Sequence, residues 1–152
     1  MRQSLTDWHG VKVSAPAAAT AIRRALEEAS RRMLDPGCQQ LLTEFRDGAG
    51  RLLSERLAAM SVDVGTYLGW IQFHDGASPL CANGWTLMYT VPGSRVVNVC
   101  KVAVESAGTD GRDYLAAAVI HELLHTLGLE ENPPSSSDIT ARVKRLCRAK
   151  AR

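Results

Sequence analysis

Apolar residues recur at helical spacing over Ala17–Leu34, where Ile22, Leu26, Ala29 and Met33 make one face and Arg23, Arg24, Glu27, Glu28, Arg31 and Arg32 cover the other. Asp35-Pro36-Gly37 stops this predicted helix. A second helical pattern spans Gln39–Met60 through Leu41, Leu42, Phe45, Leu52, Leu53, Leu57 and Met60, with Asp47-Gly48-Ala49-Gly50 interrupting it. Residues 1–15 carry no clear period and are expected to form an extended arm.

The period then changes. Thr66–His74 is rich in aromatic and β-branched residues and closes on Asp75-Gly76, which predicts a strand. Trp85–Val91 and Arg95–Val104 are predicted as two more, joined as a hairpin by a turn at Pro92-Gly93-Ser94. Ser106–Arg112 reads as a loop. A third helix is expected from an N-cap at Asp113 to Leu127, where Gly128 can adopt the left-handed conformation that ends a helix. A last helix begins in the cluster Ser135–Ser137, with Ile139, Val143, Leu146 and Cys147 inward. No repeat, low-complexity tract or linker divides the chain, so residues 1–152 are expected to form a single α+β domain. It would have a short, twisted, mainly antiparallel sheet against a central helix and two or three others.

Composition adds bounds. The 152 residues are 45% hydrophobic and 22% charged, enough for one domain with one core. A net charge of +2 argues against nucleic acid as a partner, and the six basic residues between Arg142 and Arg152 read as a solvated helix end. No apolar run approaches the ~20 residues that cross a membrane. Cys38, Cys81, Cys100 and Cys147 are widely spaced with no CxxC pair, a pattern compatible with two disulfides. The hairpin brings Cys81 near Cys100, leaving Cys38 after the first helix to meet Cys147 on the last. Two disulfides favour a secreted or periplasmic protein whose leader is absent from this chain; reduced thiols would favour the cytoplasm.

The chemistry concentrates in Ala116–Pro134, AAAVIHELLHTLGLEENPP. His121 and His125, four apart on a helix, share one face and can place two ring nitrogens on one ion. Glu122 between them can take a proton from an activated water. A catalytic zinc normally has three protein ligands. Downstream of His125 the acids are Glu130, Glu131 and Asp138, with no further histidine; His9 and His74 lie elsewhere.

The stretch HELLHTLGLEE, His121 to Glu131, resembles the metzincin metalloproteases, whose HExxHxxGxxH pattern puts a third ligand at the position held here by Glu131. Some relatives carry an aspartate there, so a carboxylate is chemically reasonable. The resemblance ends with the motif, because no methionine follows Met88 to form the family's methionine turn. It implies a small zincin-like fold and one Zn2+ on His121, His125 and Glu131. It also implies a zinc-dependent endopeptidase with Glu122 as general base, and a peptide substrate bound as an added strand. Tyr67, Tyr89 and Tyr114 are candidate oxyanion donors of equal standing. The alternatives are a cytoplasmic regulatory or maturation metalloprotease acting on one partner protein, and a non-catalytic zinc-binding domain.

Overall fold

The structure, a computed structural model, describes residues 8–77, 79–110 and 112–148. Helix α1 (Pro16–Met33) starts on Pro16, whose missing N–H would have no partner in a first turn. Its face of Ile22, Leu26, Ala29 and Met33 is fully buried. The long helical pattern that follows is cut into short pieces, α2 (Pro36–Gln39), α3 (Leu41–Glu44) and α4 (Leu53–Ala59). The break falls at the expected Asp47–Gly50 turn, whose flanks pair across an Arg46–Leu52 bridge. Next come α5 (Val64–Leu68), β1 (Gln72–Asp75), a 3-10 turn (Pro79–Asn83), β2 (Met88–Tyr89) and β3 (Val96–Val99). Helices α6 (Lys101–Asp110), α7 (Arg112–Thr126) and α8 (Ser136–Leu146) complete the chain.

An α+β domain is what these elements make: a small three-stranded sheet, order β1-β3-β2, among helices. The sheet is mixed rather than mainly antiparallel. β1 runs parallel to β3, with Gln72 opposite Val96, and β2 runs antiparallel to it, with Met88 opposite Val99. The predicted hairpin is present: Ser94 N–H donates to Val91 O, and Gly93 sits at φ +85°, as a type II turn requires. The described part of the arm lies along the outer side of β1, where Phe73 N–H donates to Gly10 O and Lys12 N–H to Phe73 O. Trp8 is buried there; residues 1–7 lie outside the described residues.

Two strand predictions are corrected by burial. Only the end of Thr66–His74 is a strand, because Val64, Tyr67 and Leu68 are buried at i, i+3 and i+4 and the Asp63 carboxylate caps α5 by accepting from Thr66 N–H. Likewise Arg95–Val104 stops as a strand at Val99. Cys100, Ala103 and Val104 face inward while Val102 is exposed, a helical spacing that turns the predicted loop into α6. In both cases β-branched and aromatic composition concealed a short helix, a tertiary override of propensity.

Helix α7 is the centre of the core. Val119–Leu129 is buried throughout, including its polar members, with α1, α6, α8 and the sheet packed around it. Asp113 lies in the first turn of α7 rather than at its cap, and accepts from buried Arg32 of α1 at 2.6 Å. Arg32 also donates to Glu28, so the charge is neutralised where it is buried. Both expected disulfides are present, Cys38–Cys147 and Cys81–Cys100. The first ties α8 to the first half of the chain, and the second ties the 3-10 turn to the start of α6. No described helix is long and apolar enough to cross a membrane.

Candidate metal centre

The last two turns of α7 bring His121 and His125 together with Nε2 atoms 3.1 Å apart. After Thr126 the chain reverses at Gly128, whose φ of +115° is in the left-handed region. A Cβ there would lie 2.8 Å from Asp47 Cβ, so the turn needs glycine for space as well as conformation. The reversal carries Glu131 back over the helix end, where Oε1 lies 3.1 Å from His125 Nε2 and 3.8 Å from His121 Nε2.

A hydrogen bond fixes which atom His125 offers, and a second is compatible with the same choice at His121. His125 Nδ1 is 2.7 Å from Leu129 O, an oxygen that can only accept, so Nδ1 carries the proton and the neutral ring presents a lone pair at Nε2. His121 Nδ1 lies 3.0 Å from Thr140 Oγ1, which accepts its proton in the tautomer that leaves Nε2 open. Burial, then the proximity of His125, depresses the His121 pKa to about 4, so the ring is neutral at pH 7. In that tautomer two lone pairs and a carboxylate oxygen converge, an arrangement that suits a cation between the donors.

The donor set fits a metal ion. His121, His125 and Glu131 hold their ligand atoms within 4.8 Å of one another, and they are the metal-competent group found among the described residues. Ligands of a tetrahedral zinc at ~2.0–2.1 Å lie ~3.3 Å apart, close to the observed 3.1, 3.1 and 3.8 Å. The expected alternatives go elsewhere. The Glu130 carboxylate lies over Gly48, and Asp138 occupies the exposed first turn of α8. His9 and His74 are both exposed, His9 in the arm and His74 on β1.

Glu122 lines the same cleft as the three ligands, a space of about 610 Å³ between α7, β2 and α8. It is buried, and burial together with the nearby Glu131 carboxylate raises its pKa to about 8. Of the three tyrosines, Tyr89 and Tyr114 line the cleft. Tyr67 does not; it is buried in α5 and donates to Thr126 Oγ1 at 3.0 Å. Met88 is buried at the cleft wall, on β2 ahead of the helix.

Two supporting residues have no signature in the sequence. Thr140 belongs to α8, and nothing in its spacing names His121 as its partner. Asp47 anchors the turn beneath Gly128: its carboxylate accepts from Ala49 N–H, Arg51 N–H and the Arg51 and Arg56 guanidinium groups. The Asp-Gly-Ala-Gly composition marks a turn, but not what the turn supports. Comparison of the chain with protein-family models, curated proteins and solved structures gives no match in any of the three.

Proposed function

We propose that this chain is a zinc-dependent peptide-bond hydrolase, with His121, His125 and Glu131 as ligands and Glu122 as general base. The observation that carries the reading is a buried carboxyl, Glu122, opening into the same cleft as a three-ligand group whose spacing suits zinc. A zinc ion held there supplies Lewis-acid activation of water and of a carbonyl group.

The chain's own residues supply the rest. Glu122 accepts the proton of the attacking water and returns it to the nitrogen of the leaving amine, so one carboxyl serves both halves of the hydrolysis. To act as base it must be ionised, and a dication among the ligands offsets the Glu131 charge that disfavours ionisation. Leu129 O holds His125 in the required tautomer, and the Thr140 hydroxyl accepts from His121 Nδ1 in the tautomer that binds an ion. The C-terminal part of α7, from Val119 onward, is buried, so the ligands are presented on a rigid element.

Substrate placement follows from the sheet. β2 pairs with β3 on one side and has no strand on its other side among the described residues. It borders the cleft through Met88 and Tyr89, so an extended peptide can add to it by main-chain hydrogen bonds. Two disulfides favour work in an oxidising compartment, secreted or periplasmic.

The test is hydrolysis of casein by zinc-loaded wild type and Glu122→Gln. The reading expects cleavage by wild type, a loss of at least a hundredfold in the variant and unchanged zinc content. Wild-type cleavage by Glu122→Gln would overturn the role of Glu122. Zinc binding with no cleavage of any peptide would favour the non-catalytic zinc domain instead.

A further inference from the structure

Trp85 and Tyr114 are among the largest apolar groups of the described surface, 75% and 51% exposed, and both line the cleft that holds the metal ligands. They also line an adjoining hollow of about 380 Å³ against Leu87, Ala103 and Ala107. Large apolar groups left in water around a concavity mark a binding surface more often than chance exposure does. Trp85 is held in place by its backbone. Asn83 Oδ1 accepts from both Trp85 N–H and Thr86 N–H at 2.9 Å, and Cys81–Cys100 staples the loop to the sheet.

The position of this pair along the cleft can be measured on α7. Tyr114, Ala118, His121 and His125 share one face, so Tyr114 stands two turns, ~10 Å, from His121. An extended peptide covers that distance in about three residues. β2 leaves two possible directions. It leads from the Trp85 loop towards the Pro92–Gly93 turn, and Gly93 N–H donates to His125 O at 2.8 Å. A peptide added antiparallel to β2 runs the other way, with its C-terminal end reaching Trp85 and Tyr114, whereas one added parallel brings its N-terminal end there.

Charge selects the antiparallel direction, because a cation beside Tyr114 attracts a terminal carboxylate and repels a terminal ammonium. Lys144 lines the cleft with its Nζ 5.7 Å from the Tyr114 ring centre, and it has no carboxylate partner among the described residues.

Resting on the hydrolase reading, we propose that Trp85, Tyr114 and Lys144 form a subsite for the C-terminal residue of a peptide with a large apolar side chain and a free carboxylate. Cleavage would then release fragments of about three residues.

The test uses the full chain carrying Glu122→Gln, supplied with zinc, and calorimetric binding of three probes: Ala-Ala-Ala-Ala-Ala-Phe acid, its C-terminal amide, and hexa-alanine. The acid is expected to bind about tenfold tighter than either other probe. Trp85→Ala should remove the preference for Phe, and Lys144→Met the preference for acid over amide. Equal binding of all three probes, or preferences that survive both substitutions, would overturn the subsite. Casein cleavage by wild type separates the two claims. Cleavage without the preferences defeats the subsite alone, and preferences without cleavage defeat the hydrolase reading alone.

Discussion

The Thr140 hydroxyl lies 3.0 Å from Nδ1 of His121, which makes the C-terminal helix part of the candidate metal centre. Without that acceptor the Nδ1 proton is unpaired, and the imidazole can rotate or take the other tautomer. Thr140→Val, which keeps the shape, is expected to weaken zinc binding about 10–100-fold, and Thr140→Ser to restore most of it. Competition against a chromophoric chelator measures both. Wild-type affinity in Thr140→Val would show that the contact does not orient the ligand.

Gly128 combines a left-handed backbone with a crowded neighbour, whereas Gly50 has φ +88° and nothing within 4 Å of a Cβ. Gly50→Ala therefore reports backbone strain alone, about 1–3 kcal/mol. Gly128→Ala is expected to lose more stability than that in urea, because Asp47 must also move. It should also weaken zinc binding, since the same turn carries Glu131. Equal losses at the two positions would mean that the Asp47 contact is readily relieved.

These two residues show what was legible in the sequence and what was not. His121, Glu122 and His125 lie within one helical turn, so their common region follows from helical period, and the resemblance to the metzincin motif pointed to Glu131 beyond Gly128 as the residue that joins the two histidines. Both disulfides followed from which elements neighbour one another. Tyr67 and Val104 misled, because their composition favours strands while their burial at i, i+3 and i+4 makes helices. Thr140 and Asp47 left no trace, since each acts on a partner 19 or more residues away through a contact that only tertiary packing creates.

Asp47 also sets an acid limit on stability. The Arg51 backbone N–H, then the Arg56 guanidinium, hold its carboxyl at about 2, below its ordinary 3.8. A depressed folded-state pKa contributes stability that is complete above 3.8 and is lost as pH falls towards 2. Urea unfolding of wild type and Asp47→Asn across pH 2–7 isolates this contribution. The variant is expected to be less stable above pH 4, with the two curves converging as pH falls to 2. A constant gap across the whole range would show that the Asp47 charge contributes nothing.

The central claim is that His121, His125 and Glu131 hold one ion. Zinc titration of metal-free wild type, Glu131→Ala and Glu130→Ala, read by elemental analysis and calorimetry, tests it most directly. The account predicts one tightly bound zinc per chain in wild type and in Glu130→Ala, and at least a hundredfold weaker binding in Glu131→Ala. Wild type that binds no zinc, or Glu131→Ala that binds it as tightly as wild type, would contradict it.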